Sequence, residues 1–534
     1  MLSVVAIHNL QIECRLCIDQ ILSFDMVAAK DSHARMQATL LISDCMRRRI
    51  TEAFDGDTVA VWAVNESGGR IRRLFAGQID DLHIDYEGDL EKVVIGAVSS
   101  SILLDTEKKS RSFQDISSHY SDVIYSVLAD TNKAGARLHV QDMLLKKPAI
   151  QYEETDWQFI KRMASNLQAS VIPDFSEALP RVHVGLKSGA DIGEIECIKY
   201  KTGFDSRYYT DGKTLNLPKS GFLYYDVESC SLYNIGDFAT FLGRKLRICE
   251  LKYTLMHDML CCIYRLATPA YFMIRQQYND NLRGLSLQGA VLRTNRELVR
   301  IHLDIDDRQD PETAYDYTWR PETGNLMYCM PEPGTRVSLY MQNPDESCAI
   351  CKDCVRVNGD QFPEAQSPED RYLTTIHDKR MFWKPGEAGF TSLTANSWIK
   401  IDDAIGLVID TSGGLLMQSG EDLTINGKRV ALSAPKEISL VRRKVEAPTV
   451  INTCYNFDIV GNIGGFYTNK PPAEPCAEPQ FPSVFGNVEE FDMNDIADMI
   501  IAAAPAGSES ESTPISTALQ GAFVAHMPHG KGRG

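Results

Sequence analysis

The sequence predicts a mainly β protein with a minor α-helical part, divided into several domains. Three observations predict this class: strand-like runs dominate residues 1–284, short strands separated by turns follow them, and an eight-residue apolar repeat comes next. The length of 534 residues also favours several domains, because a domain usually has roughly 100 to 200 residues. We therefore divide the chain into four predicted parts.

Composition and charge exclude several classes of protein. The chain is 44% hydrophobic and 24% charged, as in ordinary globular proteins, and its formal net charge of −17 disfavours nucleic acid and anionic lipid as partners. The N-terminal stretch lacks the cationic segment of a secretory signal, and no window reaches the ~18 to 20 apolar residues of a membrane-spanning helix. We expect assembly in the cytoplasm, no membrane anchor and no nucleic-acid binding.

The first part, residues 1–284, is predicted to form β-barrel domains that carry two helices. One helix is predicted over Asp115–Ala129, where apolar residues including Ile116 recur at helical spacing. A second helix is predicted to start at Thr155, because Thr155 and Gln158 have the spacing of a capping box. The predicted strand runs are Leu10–Leu22, Met36–Ile42, Thr58–Val64 and Leu82–Val98. The apolar face of the second helix consists of Trp157, Ile160, Met163, Ala164 and Leu167.

The second part, residues 285–368, is predicted to form a small closed barrel. Short apolar runs alternate with turn residues such as Pro331, Pro333 and Gly334. Closure is expected because it removes the exposed edges that so short a sheet would otherwise have. The five predicted strands are Leu285–Leu292, Leu298–Ile305, Leu326–Met330, Arg336–Met341 and Ala349–Val357.

The third part, residues 369–462, contains a repeat of apolar pairs, most of which begin eight residues apart. The pairs are Ile399 and Ile401, Leu407 and Ile409, Leu415 and Met417, Leu423 and Ile425, Val430 and Leu432, and Ile438 and Leu440. Glycines recur between the pairs, as expected for a repeat of very short strands and turns. One such chain exposes both its apolar stripe and its strand edges, so we predict that three copies wind into a triple-stranded β-helix with these twelve residues on the axis. An ordinary β-meander within one chain is the alternative.

The fourth part, residues 463–534, is predicted to be a flexible tail. Lys470–Pro482 is rich in proline, Asp495–Ala502 has the composition of a short helix, and Pro505–Ser516 is polar. The segment 485–534 is predicted to dock a cargo or effector protein. A tail without any partner is the alternative.

No signature of an enzyme is found in the sequence. The nucleophile-elbow, zinc-protease, phosphate-loop and dinucleotide-binding motifs are all absent. We therefore expect no catalytic residues, no cofactor and no enzymatic activity.

Two groups of residues are candidate metal ligands. Cys348, Cys351 and Cys354 have the spacing of thiolate ligands, with Cys329 upstream, but they lie where a barrel strand is predicted, and a strand alternates its side chains between two faces. A pair of histidines, His526 and His529, lies near the end of the sequence, where Pro528 disfavours a helix. We expect the cysteines to be buried or partly buried thiols and the histidines to lie in a flexible tail. A metal site in either group is the alternative.

Four segments resemble the VgrG family of spike proteins of contractile injection systems such as type VI secretion, and they follow one another along the chain in the same order as in that family. This family is itself similar to the tail hub and spike proteins of contractile phages. In Ile150–Asp174 the run QYEETDWQFIKR resembles the family pattern QY.ETD..F..R. The segments Phe75–Gln114, Met330–Gly359 and Phe390–Gly414 resemble the hub, the barrel and the entry to the β-helix.

This resemblance implies a homotrimer whose hub binds the tail-tube protein and baseplate components. It also implies that the small barrel is of the oligonucleotide-binding (OB) type, and that a PAAR-like protein caps the end of the β-helix. The repeat fades after Leu440, so the expected cap-binding residues are Tyr455, Phe457, Ile463 and Phe466. The expected role is to puncture a target envelope and to carry a tip protein or cargo, after delivery outside the cell within the injection particle or virion.

Two other functions were considered. One is a baseplate hub and spike of a contractile phage tail that delivers no effector. The other is a β-rich hydrolase, since some phage spikes carry a lysozyme domain between barrel and β-helix. Only about 40 residues separate Gly359 from Ile399, which is too few for such a domain.

Overall fold

The computed structural model describes residues 5–42, 57–87, 90–321, 329–355 and 367–436, and it is mainly β. The chain divides into two compact units, residues 1–415 and residues 416–534. In the second unit only 416–436 is described, and these residues are exposed and form no strand or helix. Across the described ranges, no helix combines the length and the apolar character needed to cross a membrane. The predicted domain limits at residues 284, 368 and 462 stay predictions.

Six strands form the first half of a large sheet. Their order in the sheet is β1-β4-β5-β6-β3-β2, and every pairing among them is antiparallel. Alternate residues are buried along β3, as its period-two pattern predicts. The strands are β1 (Leu10–Glu13), β2 (Ile18–Ala28), β3 (Arg35–Ile42), β4 (Thr58–Val64), β5 (Arg70–Glu87) and β6 (Leu90–Ser99).

Two of the predicted strand runs each join the end of one strand to the start of another. The run Leu10–Leu22 contains the end of β1 at Glu13 and the start of β2 at Ile18. The run Leu82–Val98 contains the end of β5 and the start of β6. Apolar Leu16 lies in the first connection and hides it, whereas Gly88 and Asp89 between the second pair of strands are a turn signal that the prediction did not use.

A layer with two helices follows and has a core of its own. Helix α1 spans Tyr120–Leu128, and helix α2 spans Asp156–Asn166. Five short strands accompany them: β7 (Lys108–Phe113), β8 (Gly135–Leu138), β9 (Ala149–Thr155), β10 (Val171–Pro173) and β11 (Arg181–Val184). Strand β7 pairs with β9, and β11 lies between β8 and β10.

The start of α2 confirms the predicted capping box. The Gln158 amide donates a hydrogen bond to Thr155 Oγ1 at 3.2 Å, and the Thr155 amide donates to Gln158 Oε1 at 3.3 Å. All five residues of the predicted apolar face are buried. The capping box therefore fixes the first turn, while burial of that face holds the helix in place.

The predicted start of α1 is wrong by five residues. Asp115 Oδ1 accepts hydrogen bonds from the Ser117 amide at 2.9 Å and from its hydroxyl at 2.6 Å. This local turn competes with the helix, which begins only at Tyr120. Ile116 therefore lies outside the helix and is 41% exposed.

Six further strands complete the large sheet, which has twelve strands in total among the described residues. Strand β16 pairs with β2, and the order continues β16-β17-β14-β13, with β15 and then β12 attached to β16. These strands are β12 (Asp191–Glu194), β13 (Lys199–Phe204), β14 (Leu223–Ser229), β15 (Phe238–Phe241), β16 (Arg244–Met256) and β17 (Met259–Ala267). A short helix, α3 (Asp211–Thr214), lies between β13 and β14.

The next five strands close into a barrel in the order β18-β19-β20-β22-β21, which confirms the predicted small barrel. The barrel encloses a core of its own, to which Val299, Ile301 and Leu339 contribute. The strands are β18 (Ser286–Asn295), β19 (Leu298–Leu303), β20 (Tyr317–Trp319), β21 (Arg336–Met341) and β22 (Ala349–Val355).

One barrel strand was missed by the sequence analysis. The chain uses β20 to close the barrel, whereas a strand was predicted at Leu326–Met330. Residues 326–328 of that prediction lie outside the described residues, and Cys329 and Met330 are not in a strand.

The last described strands form a five-stranded antiparallel meander in sequence order. They are β23 (Arg371–Thr374), β24 (Lys379–Lys384), β25 (Glu387–Ser392), β26 (Ser397–Asp402) and β27 (Gly406–Thr411). The first two apolar pairs of the repeat therefore lie on strands that pair within one chain, as in the meander alternative. Strand pairing between chains stays a prediction.

Candidate functional site

One side of the meander is covered with exposed apolar side chains. We call this surface the apolar face, and it consists of Trp383, Phe390, Ile399, Ile401, Leu407 and Ile409. Their exposed fractions lie between 43% and 67%. Soluble monomers rarely expose a contiguous apolar patch larger than a few hundred Å², so a surface of this kind marks an interaction site.

The strand register places these side chains in two rows across the sheet. Phe390 pairs with Ile399, which pairs with Ile409 on the next strand. In the neighbouring row Ile401 pairs with Leu407, and on its other side with Ala388, which in turn pairs with Trp383. Directly paired residues project to the same side of a sheet, so the two rows form one continuous surface.

The opposite side of the meander carries an ion network beside the apolar residues Phe382, Trp398 and Val408. Lys400 Nζ lies 3.1 Å from Glu387 Oε2 and 3.1 Å from Asp402 Oδ2, and Lys384 Nζ lies 2.9 Å from Glu387 Oε1. Hydrogen bonds from the two lysines lower the pKa of Glu387 below its usual value. The meander thus has its most exposed apolar side chains on one side and its ion network on the other, which favours an apolar partner on the first side.

Four of the twelve predicted axis residues lie together on the apolar face: Ile399, Ile401, Leu407 and Ile409. The next six are exposed but lie outside any strand: Leu415, Met417, Leu423, Ile425, Val430 and Leu432. The last two, Ile438 and Leu440, lie outside the described residues, as do the cap-binding residues Tyr455, Phe457, Ile463 and Phe466 and the tail segment 485–534. Their roles stay predictions.

A buried ionic cluster joins the helical layer to the barrel. Arg162 of α2 bonds Glu154 at 2.8 Å and also bonds Glu346, which lies just before barrel strand β22. Lys147 lies 2.9 Å from Asp345 and 3.9 Å from Glu346. The Arg162 and Glu346 side chains are only 4% and 3% exposed, so the two parts of the chain share charges that are shielded from water.

The cluster is fully hydrogen-bonded around its arginine. Arg162 Nη2 also donates to the Ile150 carbonyl at 2.7 Å, while Arg162 Nε donates to Glu154. Although burial lowers the pKa of Arg162, the charges of Glu346 and Glu154 outweigh it and raise that pKa. Such a satisfied cluster fixes the orientation of the barrel relative to α2, because any rotation would leave buried charges unpaired.

A groove of about 700 Å³ lies beside this junction. Two of its arginines have acidic neighbours: Arg275 lies 3.7 Å from Asp211, and Arg283 lies 3.4 Å from Asp280. Its charges are therefore compensated within the chain, and we assign the groove no ligand.

The barrel cysteines do not come together as a metal site. Cys351 points into the barrel core and is fully buried, whereas Cys329, Cys348 and Cys354 are exposed. In the part of the chain that the structure describes, no group of three or more His, Cys, Asp or Glu side chains is arranged to hold a metal ion. His526 and His529 lie outside the described residues.

Comparison with solved structures identifies the fold. A chain of the Francisella PdpA–VgrG complex, in its half-lidded form, is 9% identical, with a TM-score of 0.51 over 76% of this chain and 88% of that one. The fold described here is therefore VgrG-like. No protein-family model and no curated protein matches the sequence.

Two further structures are similar at lower TM-scores. The E. coli c3393 protein is described as a type VI secretion component similar to the T4 phage tail proteins gp27 and gp5. It is 14% identical, with a TM-score of 0.47 over 64% of this chain and 99% of that one. The 43 kDa tail protein of prophage MuSo2 from Shewanella oneidensis is 10% identical, with a TM-score of 0.40 over 49% of this chain and 99% of that one.

Proposed function

We propose that this chain is the hub and spike subunit of a contractile injection system, and that three copies associate through the apolar face. The single observation that carries the proposal is this face, an exposed two-row apolar surface on a VgrG-like fold. In this arrangement three apolar faces meet around one axis, and the ion network of each meander stays in water.

In this proposal the large sheet and the helical layer form the hub that sits on the tail tube and contacts the baseplate. The barrel and the meander then form the spike. The Arg162 cluster passes force from the hub to the barrel, because it ties α2 to the loop before β22. Puncturing needs rigidity and no catalytic pocket, so we propose a mechanical role without enzymatic activity.

The proposed partners are two further copies of the chain, the tail-tube protein, baseplate components and a PAAR-like tip protein. The tail segment 485–534 is proposed to carry cargo. The subunit is proposed to assemble in the cytoplasm and to leave the cell within the particle. A phage baseplate spike without effector delivery is the alternative, and capsid genes beside sheath and tube genes would favour it.

Substitution of the apolar face tests the proposal directly. Leu407→Asp, combined with Leu423→Asp two units further along the repeat, places six carboxylates on the proposed trimer axis, where unpaired charges are very costly to bury. We expect loss of the trimer, measured by sedimentation equilibrium. Val408→Asp is the matched control, because it adds a carboxylate to the same strand on the side of the ion network, where Val408 pairs with Lys400. A trimer that survives the double substitution would refute the proposed axis.

The absence of enzymatic activity has its own test. Purified protein is expected to give no clearing on a peptidoglycan zymogram. Clearing that a single acidic substitution abolishes would overturn this part of the proposal.

A further inference from the structure

The large sheet ends at an open edge. Strand β13 is the last strand of the sheet order and pairs only with β14 among the described residues. All six of its residues pair with β14 in a continuous antiparallel register without a bulge. In such a pair every second residue turns its N–H and C=O groups away from the neighbouring strand, so β13 presents a regular row of donors and acceptors to the outside.

The two sides of β13 have different chemistry. Tyr200 and Phe204 lie on one side and are 49% and 37% exposed. Tyr200 packs edge-on against Phe241 at 5.2 Å, which holds its ring in place without covering it. The other side carries Lys199 and Lys201, both exposed, and their partners on β14 are Glu228 and Asp226. Edge strand β13 thus carries aromatic residues on one side and, on the other, a row of lysines outside a row of carboxylates.

The surroundings extend both features. The ring of Phe204 has Tyr209 edge-on at 6.4 Å and Lys219 Nζ at 4.8 Å. Another ammonium, that of Lys213, lies 5.3 Å from the Tyr209 ring. Residues 199–219 contain five Lys and Arg but only two Asp, in a chain whose net charge is −17. Aromatic residues combined with cations are typical of protein interaction surfaces.

We propose that β13 binds an extended segment of a partner protein in which acidic and apolar residues alternate. An added strand projects its side chains to the same two sides as β13, so its apolar residues would lie beside Tyr200 and Phe204 and its carboxylates beside the lysines. A second copy of the chain is the competing occupant, and the experiment below distinguishes it from a partner segment. The inference does not depend on the proposed spike function.

Lysines also occur on edge strands simply to prevent aggregation, and the experiment separates this role from docking. The probe is a fluorescein-labelled eight-residue peptide of alternating Glu and Val, capped at both ends. The control peptide has the same composition in the order Glu-Glu-Val-Val, which removes the period of two. Binding to the full chain is followed by fluorescence anisotropy.

The protein variants are Lys201→Glu and the matched control Lys252→Glu. Lys252 is also an exposed strand lysine of this sheet, but β16 is an interior strand. Lys199 is left unchanged because it pairs with Glu228 at 2.7 Å. We expect Lys201→Glu to weaken binding of the alternating peptide about fivefold and Lys252→Glu to leave it unchanged.

Two results would overturn the proposal. Equal affinity for the two peptides would show that binding to β13 does not depend on the alternation of acidic and apolar residues. A change in the oligomeric mass of Lys201→Glu, with Lys252→Glu unaffected, would show that another copy of the chain occupies the edge. Circular dichroism and the unfolding temperature confirm that each variant is folded.

Discussion

Replacement of Glu346 by glutamine tests whether the buried cluster holds the barrel to the helical layer. Arg162 bonds both Glu154 and Glu346, while Lys147 lies between Asp345 and Glu346. Glutamine keeps the shape of the side chain and an oxygen acceptor. It removes one of the two carboxylates on the buried Arg162, which then keeps only Glu154 as a charged partner.

The expected loss of stability is moderate. Removing one charge-assisted partner of a buried arginine costs about 2 kcal/mol. For the compact unit of residues 1–415 that loss lowers the unfolding temperature by roughly 2 °C. The measurement is thermal unfolding followed by circular dichroism at neutral pH.

Two further variants show whether the loss of stability arises because the ion pair is buried. Glu312→Gln removes a partner from the exposed pair Arg293–Glu312, whose 3.5 Å contact should contribute less than about 1 kcal/mol. Arg162→Met combined with Glu346→Gln should lose less stability than the sum of the two single changes, because the cation is gone as well. The reasoning fails if Glu346→Gln resembles Glu312→Gln, or if the double variant is additive.

Three other predictions follow from local features. Thr155→Ala removes the capping box of α2 and should cost about 1 kcal/mol in the free energy of unfolding; an unchanged denaturation midpoint would contradict this. Cys17 is exposed, whereas Cys262 is buried and burial raises its pKa to about 12. A thiol reagent at pH 7 should therefore label Cys17 much faster than Cys262. Equal labelling of the two cysteines, measured by mass spectrometry, would refute the packing around Cys262. The folded-state pKa of Glu387 is lowered, so its ionised form stabilises the meander at neutral pH and that contribution is lost as pH falls through the lowered pKa. Glu387→Gln should therefore reduce stability at pH 7 and not at pH 2, and a difference that persists in acid would contradict the ion network.

Local signals in the sequence predicted the elements that depend on local bonding. The start of α2 was correct because its capping box joins residues only three positions apart. Strand β4 was correct to the residue, since buried residues alternate along most of its length. The closed barrel was predicted from the number and brevity of its strands, and the structure confirms it.

Features that depend on distant partners could not be predicted in this way. Strand β20 has three residues and no periodicity of its own, and it exists because β19 and β22 pair with it. Arg162 reads as a solvent-facing helix residue, but its partner Glu346 is 184 residues away. Only its position in the segment that resembles the VgrG family hinted that Arg162 has a particular role.

The apolar repeat shows which features sequence periodicity predicts and which it leaves open. It correctly placed Ile399, Ile401, Leu407 and Ile409 on one side of neighbouring strands. The same pattern suits both a meander and an intertwined trimer, because both require alternate residues to face one apolar surface. Single-chain pairing in the meander does not weaken the need for a partner, since the apolar face is still exposed.

The molecular mass of the full chain in solution tests the central claim most directly. One chain has a mass of 59.7 kDa. Sedimentation equilibrium at micromolar concentration should give about three times this value, because the proposed spike brings three apolar faces together around one axis. A single species of 59.7 kDa across that concentration range would contradict the trimeric spike.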